Sequence, residues 1–574
     1  MTRARRSASG QAGTTPGKHG RVQMDGHVKQ ALETGRTRIV IMSALFVLAF
    51  FVVGLRLFEV MALNRAAEPR LAKMPETASL HMARADIVDR NGVLLATNLA
   101  TASLYAEPRR VLDPADAARR LVRVLPGLSE PELRAKLSGG RSFVWLQRNL
   151  TPGQQYEVNR LGLPGLQFLR EERRVYPHGP AAAHVLGMTN VDNEGLSGVE
   201  KGLDDLLRTS QSPVRLSVDI RVQSILRDEL SKKAEEFSAS GAAGIMMDVT
   251  SGEIIALVSL PDFDPNQPGT VNAATTFNRI TLGVYEMGST FKTFSTALAL
   301  EKGTVTLSDQ YETSDPIRIA RFTIRDFKPK KGPLSVPEIF MYSSNIGTAK
   351  MAMDVGTQAQ RDFLDRIGLL STPHLELPEI GSPLVPARWR DINTMTISFG
   401  HGLAVTPLQM ATATSAIVNG GTLPRATLLA HDTDDRVETG PRIISPRTSE
   451  KMRHLLRLAV EHGTGSHAVA PGYLVGGKTG TAEKTSDGRY GEGLLSSFSA
   501  AFPINDPRYV LVVLIDDPKG TKESFGYATG GWTAAPVVGS VVEKAAPLLG
   551  VRPTLRFQDP KFEELLTHVG TRGH

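Results

Sequence analysis

A serine and a lysine three residues apart are the first residues in this sequence whose spacing could support catalysis. After Ser289 and Lys292 an apolar pattern to residue 300 predicts a helix, with Gly303 as its end. Residues three apart share a helix face, so hydroxyl and amine would lie together at the helix N-terminus. A buried lysine can take a proton from a neighbouring serine, and free N–H groups there could hold an oxyanion. Taken alone, the pair favours a solvated helix turn, because serine and lysine at this spacing recur by chance in a chain of this length.

A second polar stretch precedes another apolar helical pattern. Ser343 and Asn345 lie two residues apart in a predicted loop. The hydroxyl of Ser343 could relay a proton, and the carboxamide of Asn345 could bind a substrate amide or hold Lys292. Taken alone, this stretch would serve as a helix cap or a turn.

A third stretch, on a predicted strand, combines a cation, two hydroxyls and a glycine. Lys478, Thr479 and Thr481 could bind the terminal carboxylate of an extended peptide. Gly480 would let the peptide backbone approach closely. Taken alone, the stretch would be an ordinary strand.

The composition narrows the possible functions. A length of 574 residues predicts more than one folded unit. The net charge of +7 comes mostly from residues 1–38, and the remainder is nearly neutral, so a nucleic-acid-binding face is not expected. The chain has no cysteine, which rules out disulfides, cysteine-ligated zinc and thiol nucleophiles.

An apolar run between Arg38 and Arg56 predicts a membrane anchor over residues 39–58. The basic residues before it place the N-terminus in the cytoplasm and the rest of the chain outside. A cleaved signal peptide competes with this interpretation, but the segment before the run is too long and no small-residue cleavage site follows. A buried helix would leave the flanking arginines unexplained.

We expect an α/β chain of the α+β type, with one antiparallel sheet flanked by helices. The predicted sheet combines a hairpin over residues 244–258 with three C-terminal strands. An Asn-Gly turn within residues 84–96 predicts another hairpin. His178 and His184 lack ligand-spaced partners and are interpreted as structural. The predicted units are a basic tail (1–38), the anchor (39–58), an N-terminal pedestal (60–213), a catalytic unit (214–550) and a polar tail (551–574).

The three stretches occur in the order S-x-x-K, S-x-N, K-T-G within one unit, a set typical of serine penicillin-recognising enzymes. The chain therefore resembles the class B penicillin-binding proteins, and the resemblance extends from residue 39 to about residue 550. The hairpin at residues 84–96 and the stretches at 174–179 and 530–532 also match that family. Residues 285–288 and 343–345 resemble its septal branch. Met287 stands where the family usually has proline.

The resemblance implies a transpeptidase fold and acyl transfer on peptidoglycan stem peptides. Ser289 would be the nucleophile, Lys292 the general base and Ser343 the proton shuttle, with N–H groups of Ser289 and Thr481 as the oxyanion hole. Asn345 would bind the donor amide. Lys478, Thr479 and Thr481 would bind the terminal carboxylate of the peptide or the carboxylate of a β-lactam. No metal or organic cofactor is expected.

The resemblance also implies partners and a location. The expected ligands are stem peptides and β-lactam antibiotics. The expected partners are a membrane-embedded SEDS-type glycosyltransferase and other division proteins, at the septum of the inner membrane, with the catalytic unit in the periplasm. An elongation-type transpeptidase, a D,D-carboxypeptidase, a β-lactamase and a β-lactam sensor share the same motifs and remain alternatives.

Overall fold

The computed structural model describes residues 40–55, 84–319, 322–431, 440–486, 489–554 and 559–569. Residues 40–55 form helix α1, whose apolar side chains are exposed. Within the described residues, no helix combines the length and apolar character that crossing a membrane requires. The predicted tail at residues 1–38 lies outside the described residues, as do both ends of the predicted anchor.

The N-terminal part of the described chain is a mixed five-stranded sheet with short helices. Its strands are β1 (Ile87–Val88), β2 (Leu94–Ala106), β3 (Val144–Leu150), β4 (Leu166–Val175) and β5 (Val214–Arg215). Its helices are α2 (Pro114–Val124), α3 (Glu130–Leu137), α4 (Pro152–Arg160), α5 (Ala183–Leu186), α6 (Gly198–Gly202) and α7 (Asp204–Thr209). β2 pairs antiparallel with β1, β3 and β4, and β5 pairs parallel with β1.

The larger part of the chain is built on a five-stranded antiparallel sheet. Its strands are β6 (Gly241–Asp248), β7 (Ile254–Leu260), β12 (Gly476–Ser486), β13 (Arg489–Phe502) and β14 (Tyr509–Asp516). Their order is β12-β13-β14-β6-β7. The chain first forms β6 and β7, and the three later strands add to the other side of β6, with β12 outermost. Short strands between these are β8 (Gln310–Glu312), β9 (Ile317–Ile319), β10 (Phe322–Ile324) and β11 (Pro333–Ser335). β12 therefore forms an edge of the sheet.

Helices cover both faces of this sheet. The helices of this part of the chain are α8 (Ile220–Glu236), α9 (Ala273–Thr276), α10 (Lys292–Lys302), α11 (Val336–Tyr342), α12 (Asn345–Val355), α13 (Thr357–Arg366), α14 (Asp391–Ser398), α15 (Pro407–Val418), α16 (Pro446–Glu461), α17 (Ala534–Ala545) and α18 (Pro560–His568). Side chains alternate across a strand, and β14 shows why both faces are covered. Leu511, Val513 and Ile515 pack with α8 and α17, whereas Val510, Val512 and Leu514 pack with α10, α15 and α16.

The predicted sheet and its flanking helices are confirmed, as is the hairpin at residues 84–96. The end of the chain differs from the expected polar tail. Helix α18 buries Phe562 and Leu565 in the main core, and His454 of α16 lies 2.8 Å from Asp559. The apolar residues Phe562, Leu565, Leu566 and Val569 follow helical spacing, so the helix itself is encoded locally. Its burial depends on the surface that α16 offers. The predicted domain boundaries stay predictions.

A buried ionic cluster joins three distant stretches of the N-terminal part. Glu200 accepts from Arg84 Nε at 2.5 Å and from Arg174 Nε at 2.7 Å. Arg84 also donates to Asp204 Oδ1 at 2.7 Å. The side chains of Glu200, Arg84 and Arg174 are at most 2% exposed. Glu200 is therefore shared by two buried guanidinium groups, and Asp204 is a second partner of Arg84.

We predict that Glu200→Gln destabilises the protein by about 3–5 kcal/mol, because it leaves two buried cations without their shared anion. The free energy of unfolding from urea titration measures the change. The matched control is Glu194→Gln, whose exposed carboxylate lies 3.8 Å from Arg208 and should change stability by less than about 1 kcal/mol. Equal effects of the two substitutions would contradict the role given to the cluster.

Candidate active site

Ser289 lies on a 3-10 turn, Gly288–Phe291, and α10 begins at Lys292. The predicted helix and its end at Gly303 are confirmed, but its first turn is tighter than expected. In a 3-10 turn the side chains at positions i and i+3 eclipse each other. This geometry aligns the Ser289 hydroxyl with the Lys292 amine, and Lys292 Nζ lies 2.9 Å from Ser289 Oγ.

The turn packs directly on the edge strand β12. Gly288 has a positive φ of +55°, and a Cβ there would lie 2.6 Å from the carbonyl oxygen of Thr481. A Cβ on Gly480 would lie 2.5 Å from the carbonyl oxygen of Met287 and 2.3 Å from Ser497 Oγ. Gly480 is therefore required for packing between turn and strand. Close approach of a substrate backbone at Gly480, the role predicted from the sequence, stays a prediction.

Met287 occupies the start of this turn and is 1% exposed. Its φ of −86° lies about 20° from the value that a proline ring imposes. Its carbonyl accepts from the Thr290 hydroxyl at 2.8 Å. The backbone at Met287 is therefore close to a conformation that proline could adopt. Met287 differs from proline in having a long side chain, which is buried in the core.

The Lys292 amine is completely buried and surrounded by oxygen atoms. Besides Ser289, it lies 3.0 Å from Ser343 Oγ, 2.7 Å from the Ser343 carbonyl and 2.6 Å from Asn345 Oδ1. Burial lowers its pKa well below the usual lysine value, the charge of Lys478 lowers it further, and the Asp326 carboxylate opposes both. A neutral amine in this position can accept the proton of Ser289.

Ser343 lies between the two lysines. It ends α11 in the left-handed conformation, with φ +61° and ψ +43°. Its hydroxyl accepts from Lys292 Nζ at 3.0 Å and from Lys478 Nζ at 2.9 Å. Left-handed backbone is unfavourable for a serine and is typical of functional sites. The conformation places one hydroxyl within reach of both amines.

Both ends of the Asn345 carboxamide contact the protein. Its oxygen faces Lys292, and its nitrogen donates to the Arg325 carbonyl at 2.9 Å. Of the two roles predicted from sequence, the structure therefore shows Asn345 holding Lys292. The amide retains one further N–H for a substrate carbonyl.

Asp326 was missed in the sequence argument. Its carboxylate accepts from the N–H groups of Asn345 at 2.5 Å and Ile346 at 3.0 Å, and from the Ser344 hydroxyl at 2.6 Å. It thereby caps the start of α12 and fixes the loop that carries Ser343. Asp326 lies in the connection from β10 to β11, about twenty residues earlier, and no local pattern signals the contact.

The edge strand β12 contributes the remaining predicted residues. The Lys478 amine is buried, and burial lowers its pKa to about 7. The Thr479 hydroxyl lies 2.7 Å from that of Thr464, and Thr481 Oγ1 accepts from the Gly530 N–H at 3.1 Å. Ser289, Lys292, Ser343, Asn345 and Lys478 thus form one connected cluster beside these two hydroxyls. Within the part of the chain that the structure describes, no group of His, Asp and Glu is arranged to hold a metal.

Comparison with known proteins gives this cluster a family context. Residues 242–543 match the family described as penicillin binding protein transpeptidase domain, and residues 80–236 match the penicillin-binding protein dimerisation domain. The probable peptidoglycan D,D-transpeptidase FtsI of Caulobacter vibrioides is 42% identical, covering 82% of this chain and 82% of its own length. The peptidoglycan D,D-transpeptidase FtsI of Escherichia coli is 30% identical, covering 82% and 84%.

A solved structure also resembles this fold. A peptidoglycan synthetase from Bifidobacterium adolescentis aligns with a TM-score of 0.65 at 22% identity, covering 83% of this chain and 97% of that one. The two matched domains, in this order, with the S-x-x-K, S-x-N and K-T-G residues gathered around one buried amine, identify the chain as a member of the class B penicillin-binding proteins.

Proposed function

We propose that this protein is a peptidoglycan D,D-transpeptidase that crosslinks stem peptides through an acyl-enzyme on Ser289. The observation that carries the proposal is the buried Lys292 amine, 2.9 Å from Ser289 Oγ and 3.0 Å from Ser343 Oγ. A hydroxyl nucleophile, a base with a lowered pKa and a relay hydroxyl are the parts that acyl transfer needs. The D,D-transpeptidase relatives support the choice of substrate.

In the first step, Ser289 Oγ attacks the carbonyl carbon of the penultimate D-Ala while Lys292 takes its proton. Backbone N–H groups of Ser289 and Thr481 stabilise the oxyanion. The bond to the terminal D-Ala then breaks, and Ser343 passes a proton from Lys292 to the departing amine. The products are an ester on Ser289 and free D-Ala.

In the second step, the amine of another strand attacks this ester. Its proton returns through Lys292 to Ser289 Oγ, which leaves as the hydroxyl, and a new amide crosslinks the strands. A β-lactam would acylate Ser289 in the same way. Its leaving amine stays tethered to the acyl group, so the adduct would be released slowly.

Substrate binding involves the edge strand and the loop before α12. Lys478, Thr479 and Thr481 hold the terminal carboxylate of the donor, because hydrogen bonds to an ionised group are stronger than those between neutral groups. The free N–H of Asn345 binds a donor carbonyl. β12 is an edge strand, a position at which an extended peptide can lie alongside a sheet.

The protein is placed at the inner membrane, with residues 39–58 as its anchor, the N-terminus in the cytoplasm and the catalytic unit in the periplasm. The basic residues before the apolar run support this placement. The resemblance of residues 285–288 and 343–345 to the septal branch supports septal crosslinking during division, with a SEDS-type glycosyltransferase and other division proteins as the partners that this resemblance implies.

The chemical proposal predicts that a fluorescent penicillin labels one peptide, the one carrying Ser289, when the labelled protein is digested and analysed by mass spectrometry. Ser289→Ala should lose labelling completely, whereas Ser295→Ala, a nearby change on α10 outside the cluster, should keep it. The adduct should persist for many minutes. Covalent labelling of Ser289→Ala would disprove the assignment, and rapid release of the penicillin would favour a β-lactamase.

The septal role predicts that depletion of the protein in its native cell produces filaments without septa. Cells that lose crosslinking only at the division site continue to elongate but cannot build a septum. If the depleted cells become round instead, the protein acts in elongation. If they grow normally but no longer respond to a β-lactam by inducing resistance, the protein is a β-lactam sensor.

The lysine pKa shifts predict a bell-shaped pH dependence of acylation by benzylpenicillin. The rate should fall as pH drops through the lowered pKa of Lys292, because the protonated amine cannot act as base. It should also fall as pH rises through about 7, because Lys478 loses the charge that holds the carboxylate. His401, whose pKa is lowered by burial, and Asp326 also face this region.

Lys478→Arg tests the two falls in rate separately. Because arginine stays charged at high pH, the variant should no longer lose activity as pH rises through about 7, whereas the fall at low pH should remain. Second-order acylation constants across pH 5–10 provide the measurement. A rate that instead rises up to the ordinary lysine pKa of about 10.4 would show that Lys292 is not perturbed.

A further inference from the structure

A short basic segment, residues 327–331 between β10 and β11, lies next to the active site. Its sequence is Phe-Lys-Pro-Lys-Lys, and all five side chains are exposed. Asp326, immediately before it, is bound to the start of α12 through three hydrogen bonds. The segment is therefore held beside the loop that carries Ser343.

Two of its lysines lie over tyrosine rings. Lys330 Nζ is 4.5 Å from the centroid of Tyr342, the residue before Ser343. Lys328 Nζ is 5.8 Å from the centroid of Tyr527, in the loop that leads to Gly530. The Gly530 N–H in turn donates to Thr481 Oγ1. The basic segment thus contacts the segment that carries the relay hydroxyl and the loop whose Gly530 binds the hydroxyl of Thr481.

The positive charge of the basic segment is not compensated by acidic side chains. Across the described ranges from residue 84 to residue 569, no carboxylate forms an ion pair with Lys328, Lys330 or Lys331, whereas Lys484 and Lys519 each have one. Cation–π contacts orient an ammonium group without neutralising it. Pro329 fixes the backbone between the two oriented lysines. These ammonium groups are therefore free to bind an anion and are partly pre-organised for it.

We propose that the basic segment binds a free carboxylate that branches off the main chain of the donor stem peptide, on the N-terminal side of the scissile bond. An extended peptide rises about 3.4 Å per residue, so side chains two or three residues before that bond lie within about 10 Å of Ser289. This proposal rests on the transpeptidase function proposed above and specifies which donor peptides the site selects. Lys328 and Lys330 are then specificity-determining residues that act on binding, with no part in the chemical step.

Two donor pentapeptides ending in D-Ala-D-Ala test the proposal, one with a free D-glutamyl α-carboxylate and one with that group amidated. Release of D-Ala by the full-length protein in detergent gives kcat/KM for each. We expect the free acid to be preferred, and the double variant K328Q/K330Q to lower kcat/KM for it about five- to twentyfold. The amidated peptide should change less than twofold, and the preference should shrink at high salt.

Lys302→Gln is the matched control, since this exposed lysine lies at the end of α10 away from Lys292. Benzylpenicillin acylation should be equal in all three proteins, which separates failure of this proposal from failure of the transpeptidase assignment. Equal losses for both peptides, or no loss for either, would overturn the proposal. So would a loss confined to transfer onto an acceptor amine, which would place the carboxylate on the acceptor strand.

Discussion

The whole site depends on a lysine amine that is completely buried and, among the residues that the structure describes, has no carboxylate in direct contact. Lys292 is surrounded by neutral oxygens from Ser289, Ser343 and Asn345, which can hydrogen-bond an amine without stabilising its charge as an anion would. A second buried lysine, Lys478, adds repulsion. The nearest counter-charge, on Asp326, binds the backbone of α12 instead. Burial and repulsion together favour the neutral base that acyl transfer requires.

This arrangement needs tight contact between the turn that carries Ser289 and the strand that carries Lys478. Gly288 and Gly480 make that contact possible, because a Cβ on either would collide with backbone atoms of the other segment. The glycines next to the nucleophile and in the edge strand thus have a packing role.

Sequence reasoning could predict features encoded locally. The spacing of Ser289 and Lys292, the antiparallel sheet and the end of α10 at Gly303 all follow from short-range patterns. The pairing of Asp326 with the start of α12, the docking of α18 and the cluster around Glu200 depend on contacts between distant segments. Short sequence patterns do not encode such contacts. Gly480 shows a third case, in which the residue is singled out from the sequence and the structure adds a packing role that the sequence does not indicate.

The central claim, that Lys292 is a neutral amine in the resting protein, can be measured directly. In protein labelled with ¹³C and ¹⁵N at lysine, the side-chain signal absent from Lys292→Arg identifies this residue, and its chemical shift across pH 5–11 reports its ionisation. The structure predicts a signal that titrates well below the ordinary lysine pKa of about 10.4. A Lys292 signal that stays protonated up to pH 10 would contradict the account.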